Sequence, residues 1–118
     1  MITPDIDPPP MWTLKESLYL IPKFEAIAKI LGYHVALGGS VMYNGESNKD
    51  LDIIVYTHRK NEVNRLTPEQ LVQAFLYNKL IISSGLPACS PWSREQPDFR
   101  TVISGATKDD KRIDFLFI

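Results

Sequence analysis

The chain is short of cysteine, of histidine and of net charge. Its single cysteine, Cys89, excludes an internal disulfide. No sequence-local histidine pattern of a thiol enzyme accompanies it, so it reads as a small loop or core side chain. The two histidines, His34 and His58, lack the recurrent His/Cys spacing of a zinc site. No apolar run reaches membrane-spanning length and no signal peptide is visible, which reads as a soluble, cytoplasmic protein with no membrane partner. With 13 basic against 14 acidic side chains and a formal charge of −1, extended DNA or RNA held mainly by phosphate neutralisation is not indicated, although a local patch is compatible with the balance. No internal repeat is present. A length of 118 residues suits one domain with one core.

What is present divides into an arm and a domain. Residues 1–12 carry Pro4 and the run Pro8-Pro9-Pro10 and read as a flexible, extended arm; residues 13–118 read as the domain. Thr13-Leu14-Lys15-Glu16 has the form of a capping box opening a helix with Leu18, Ile21, Phe24, Ile27, Ala28 and Leu31 as apolar positions and Gly32 as its stop. Pro22 interrupts it, because proline cannot donate to the carbonyl of Leu18, so a kink or two short helices are expected. Tyr33 to Leu37 reads as a strand, Ser40 to Asn44 as a short helix, and Leu51 to Tyr56 as a second strand. Thr57 to Leu66 is highly charged and reads as exposed. Thr67-Pro68-Glu69-Gln70 combines an N-cap, a proline at the first helical position and a capping-box glutamine; Leu71, Val72, Phe75, Leu76 and Leu80 form the core face of that helix, which ends before Gly85. Leu86 to Pro97, with three prolines, reads as a surface loop. Phe99 to Ser104 and Arg112 to Ile118 read as a β-hairpin around the polar turn Gly105 to Lys111. The resulting fold class is α/β (α+β), a small mixed sheet with helices on one face.

Within that layout the run Leu37-Gly38-Gly39-Ser40 is followed, after the nine residues Val41 to Lys49, by Asp50-Leu51-Asp52-Ile53. Two carboxylates two apart on a strand project from one face, with Cα atoms about 7 Å apart. So close, they resist joint ionisation unless a cation lies between them, and hard oxygen ligands favour Mg²⁺ or Mn²⁺. Gly38 and Gly39 can adopt positive φ and let a phosphate approach the backbone, and Ser40 adds a hydroxyl. Alternation places Leu51, Ile53 and Val55 on one face with Ile113, Phe115 and Phe117, and leaves Asp50, Asp52 and Asp114 on the other. Bringing the three acids together is simplest if their two strands are parallel neighbours, with Phe99 to Ser104 antiparallel to the second. Taken alone, a Gly-Gly-Ser turn is ordinary loop and an Asp-x-Asp is an ordinary solvated edge; the combination carries the information.

That combination resembles the signature of the polymerase-β-like nucleotidyltransferase superfamily: hydrophobic-Gly-Gly/Ser, a spacer of about nine to thirteen residues, then Asp-hydrophobic-Asp/Glu-hydrophobic. Ile113-Asp114-Phe115 resembles the family's third carboxylate, between hydrophobic residues on a later strand. The resemblance covers roughly residues 30 to 118. It implies transfer of a nucleoside monophosphate, AMP from ATP in the first instance, to a hydroxyl acceptor with release of pyrophosphate. Asp50 and Asp52 would bind two Mg²⁺ or Mn²⁺ ions, Asp114 would hold the one that activates the acceptor hydroxyl and take its proton, and Gly38, Gly39 and Ser40 would hold the nucleotide's terminal phosphates. The chain ends four residues after Asp114, which resembles the minimal, single-domain members. The acceptor is left open as a protein, an RNA end or a small molecule, as is a homodimer or partner chain completing the site. The alternative is a non-catalytic nucleotide- or partner-binding module, antitoxin-like, with the same fold. Lys49 adjoins Asp50 and is a candidate to neutralise a phosphate, although alternation points its side chain to the face opposite Asp50. Lys111 and Arg112 read as solvated hairpin charges, and Trp92 or Tyr43 as candidates to stack on a base.

Overall fold

A computed structural model describes residues 11–57, 66–86, 88–91 and 99–118, with the backbone alone for 88–91 and 99–100. Residues 1–10, 58–65 and 92–98 lie outside the described residues, and with them most of the expected arm, the charged segment after Thr57, His58 and Trp92.

The elements are β1 (Trp12–Thr13), α1 (Leu14–Ala28), a 3₁₀ turn (Lys29–Leu31), β2 (Tyr33–Gly38), α2 (Gly39–Asn44), β3 (Glu46–Ser47), β4 (Asp50–Thr57), α3 (Pro68–Tyr77), β5 (Ser83–Ser84), β6 (Ala88–Pro91), β7 (Phe99–Ala106) and β8 (Arg112–Phe117). One mixed sheet runs in the order β2-β4-β8-β7-β5, with β6 also paired to β7. β4 and β8 are parallel with Asp52 opposite Asp114, and β7 returns antiparallel on β8 with Ser104 opposite Asp114. The expected neighbours and directions are therefore those observed.

α1 starts where Thr13 accepts a hydrogen bond from the Glu16 amide, and Gly32, at φ 88°, ends the 3₁₀ turn that follows it. Instead of two short helices, a single helix runs through Pro22. The carbonyl that Pro22 leaves without a donor belongs to Leu18, a residue on the exposed side of the helix, where the loss of the bond costs least. The buried side of α1 is accordingly Ser17, Phe24 and Ala28, with Leu18 outside it. α3 has the full capping box, Thr67 accepting from the Gln70 amide and Gln70 from the Thr67 amide. It ends at Tyr77 in a Schellman arrangement, with Lys79 at φ 61°, its amide bonded to Leu76 O and that of Leu80 to Phe75 O.

Leu71, Val72 and Phe75 are buried, as their spacing predicts. Phe24 of α1 and Phe75 of α3 each meet Phe115 of β8, at ring-centroid distances of 5.6 and 5.3 Å, and each other at 4.9 Å. Both helices thus cover the same apolar face of the sheet, which presents Leu51, Ile53, Val55, Ile113 and Phe115. Each such side chain contributes about 1.5–3 kcal/mol through burial. Trp12, counted above with the arm, is buried, and its indole Nε1 donates to Arg112 O at 2.9 Å. Part of the expected 86–97 loop is also ordered into the sheet: Ala88–Pro91 pairs with β7 as an edge strand, a position that tolerates proline.

Candidate active site

Strand alternation and register assemble the acids. Asp50 and Asp52 alternate on β4 with the buried Leu51 and Ile53, while Asp114 lies directly across the parallel ladder between Ile113 and Phe115. One carboxylate oxygen from each of Asp50, Asp52 and Asp114 lies within 4.8 Å of the others. The structure brings together all three acids singled out in the sequence.

Their electrostatics differ. Burial pushes the Asp50 carboxyl up to about 6 from an ordinary 3.8, assisted by its hydrogen bond to Asp114 and by the charges of Asp114 and Asp52. Asp52 is raised by burial and then by the Asp114 charge. For Asp114 burial also acts upward, but hydrogen bonds from Ser104, Asp50 and Arg112 outweigh it, and its carboxyl is held below the usual range. Ser104 Oγ donates to Asp114 Oδ1 at 2.7 Å and Arg112 Nε at 2.9 Å. Without a cation the cluster therefore shares a proton between Asp50 and Asp114 below about pH 6 and carries unbalanced negative charge above it. Three hard oxygen donors so placed are a donor set suited to a hard divalent cation such as Mg²⁺ or Mn²⁺, which would neutralise that charge.

The glycine turn lies against these acids. Gly39 has φ 63°, and a Cβ there would fall 2.0 Å from Asp52 Oδ2. Glycine is required on both counts: the left-handed backbone and the packing of a carboxylate onto the turn. Gly38 is extended, with φ −136°, so positive φ is needed at one glycine of the pair; at Gly38 the constraint is space, since a Cβ would approach Ile54 Cδ1 to 2.9 Å. Ser40 is exposed and lines a cavity of about 520 Å³ together with Asn44, Ser47, Lys49 and Asp50.

Lys49 and Asp50 both line that cavity, Lys49 just before the first residue of β4. Arg112 is no ordinary hairpin charge, because it clasps Asp114. Its place two residues before Asp114 on a strand was the available signal; Ser104, Asn44 and Ser47 had none apart from the register and the loop path. Lys111 turns to the other side of β8 and pairs with Glu16. Tyr43 is 82% exposed beside the turn. His34 Nδ1 meets Glu25 Oε1, a contact away from the acids along β2.

No family model matches the chain and no curated protein matches it. Solved structures do. The polymerase core of TRAMP, an RNA surveillance complex, superposes with a TM-score of 0.61 at 14% identity over 89% of this chain and 31% of that one. A structure of the GLD-2/RNP-8 complex gives 0.57 at 13% identity over 88% and 36%, and a cytoplasmic RNA terminal U-transferase 0.55 at 13% over 88% and 28%. This chain spans about a third of the length of the structures it matches.

Proposed function

From the polymerase-β-like nucleotidyltransferase fold that this chain carries, we propose that it transfers a nucleoside monophosphate from a nucleoside triphosphate to a hydroxyl acceptor, releasing pyrophosphate, with Asp50, Asp52 and Asp114 as the metal-holding catalytic residues. The observation that carries this reading is the meeting of those three carboxylates within 4.8 Å, against the turn that Gly39 makes possible. Bound Mg²⁺ or Mn²⁺ would supply charge neutralisation to the attacking and leaving oxygens of an in-line displacement at the α-phosphate.

The chain's own residues divide the remaining work. Gly38, Gly39 and Ser40 form the wall on which the β- and γ-phosphates rest, and Lys49 in the adjoining cavity offsets part of their charge. Arg112 and Ser104 hold Asp114 by one oxygen and keep it ionised. That makes Asp114 a good ligand and a weak base, so its principal role is to hold the cation on the acceptor side. ATP is the nucleotide proposed, and a protein, an RNA end or a small molecule the acceptor; a homodimer or partner chain that completes the site belongs to the same proposal.

Incubation with α-labelled and γ-labelled ATP and Mg²⁺ tests the reaction. The α-label is expected on the acceptor and the γ-label in pyrophosphate. Transfer of the γ-label to the acceptor refutes the reading. A non-catalytic nucleotide-binding module is the outcome if triphosphate raises the melting temperature with Mg²⁺ but no label moves for any acceptor class.

A further inference from the structure

On the helix side of the sheet, away from the acids, a second cavity of about 620 Å³ lies between α1, the end of α3 and the β7–β8 turn. Among the described residues five lysines line it, Lys15, Lys23, Lys79, Lys108 and Lys111, with two carboxylates, Glu16 and Asp109. In a chain with a formal charge of −1, this is a strong local concentration of positive charge. Lys111 is committed to Glu16 and lies 4.9 Å from the Trp12 ring centre. Lys23 sits 4.2 Å over the Tyr19 ring and donates to its hydroxyl at 3.0 Å. Lys15, Lys79 and Lys108 are exposed and have no ion-pair or hydrogen-bond partner among the described residues.

Two further observations point to a ligand. Tyr19 is 67% exposed, with Lys23 over one face of its ring, an aromatic platform at the mouth of a basic cavity. Lys79 holds the left-handed position that closes α3, where glycine is the least strained choice. The backbone there accepts strain while the side chain lines the cavity.

We propose that this cavity binds a segment of single-stranded nucleic acid of about two nucleotides, one base stacked on Tyr19 and the phosphates paired with Lys15, Lys79 and Lys108. An acidic peptide would satisfy the lysines but would make no use of the tyrosine platform. The proposal goes beyond nucleotide transfer and does not rest on it, so it is tested without divalent cations.

The experiment is fluorescence anisotropy of the full chain with a labelled ten-nucleotide RNA of mixed sequence in EDTA, at several salt concentrations. Three phosphate contacts predict a slope of log affinity against log salt of about −2. Lys15→Ala and Lys108→Ala are each expected to weaken binding about five-fold and to reduce the slope by about 0.7, and Tyr19→Ala to weaken it roughly ten-fold. Lys79→Gly separates binding from folding: it relieves the backbone, so the melting temperature is expected to rise by about 4 °C while RNA binding falls about five-fold. Wild-type affinity in the lysine variants overturns the proposal. So does AMP binding as tightly as the RNA, which would assign the cavity to a free nucleotide, or displacement by a decamer of glutamate at equal concentration, which would assign it to an acidic protein. None of these outcomes bears on the label-transfer experiment.

Discussion

Alternate residues of β8 face two environments that a few ångströms of backbone separate. On one side Phe115 meets Phe24 and Phe75 in edge and tilted contacts, every ring fully buried. On the other, Asp114 is drawn toward Asp50 and Asp52, all three half-buried, with one oxygen of each within 4.8 Å of the others and Asp50 hydrogen-bonded to Asp114. The first cluster stabilises the folded chain by removing apolar surface from water. The second works against folding, since each acid gives up hydration and gains repulsion. A core that covers one face of the strand is what lets the other face hold groups that would not assemble unaided.

The comparison breaks most visibly at Asp52. Asp52→Asn is expected to lower nucleotidyl transfer on the order of 10³-fold while leaving the melting temperature of the metal-free protein equal or higher, because it removes a repelling charge. Steady-state turnover and a thermal scan on one preparation check both halves. Turnover equal to wild type would remove Asp52 from the metal site.

Phe115→Ala tests the opposite face of the same strand. Its loss should cost about 3–5 kcal/mol in urea unfolding, with transfer per folded molecule little changed. A loss under about 1 kcal/mol would show that the three rings do not act as the core's centre.

Gly39→Ala strikes the junction of the two environments. Backbone strain at positive φ together with displacement of Asp52 predicts a loss of about 1–3 kcal/mol in stability and weaker Mg²⁺ binding by calorimetry. Gly38→Ala meets only the flexible end of Ile54 and should cost less.

The smallest effect is in pH. Because the folded chain holds Asp50 at about 6 and the unfolded chain near 3.8, the folded state binds the extra proton between those values. The stability Asp50 contributes is present below pH 3.8 and lost as pH rises through about 6. Asp114, whose carboxyl is lowered, acts oppositely and only at the acid end of the range, below its ordinary value. The melting temperature of metal-free protein should therefore decline from pH 4 to pH 6.5, and Asp50→Asn should reduce that decline while leaving the part due to Asp52. A flat profile for the wild type would show that the Asp50 carboxyl is neither desolvated nor repelled in the folded chain.

Particular residues show how far the sequence carries. The two strands, their apolar and acidic faces, the Thr67 capping box and the hairpin were legible because each depends on spacing within a few residues: period two on a strand, or three residues from cap to partner. Trp12 was misassigned, since nothing local distinguishes a tryptophan after a proline run from one that docks beneath Arg112. Of the kink or two short helices expected at Pro22, the two-helix alternative does not occur, because the cost of a missing donor depends on where its carbonyl lies. Residues 1–10, 58–65 and 92–98, with His58 and Trp92, lie outside the described residues.

By itself, then, the sequence determined which side chains are acids on a polar face and where the glycine turn precedes them, because periodicity and backbone sterics are local. The parallel register that sets Asp52 opposite Asp114, the clasp of Ser104 and Arg112 on Asp114, the contact of Asp52 with Gly39 and the gathering of five lysines from α1, α3 and the hairpin turn were decided only by the tertiary structure. Each joins residues far apart in the chain, and such a contact forms when the packing of a shared core holds both ends in place, which no window of neighbouring residues encodes.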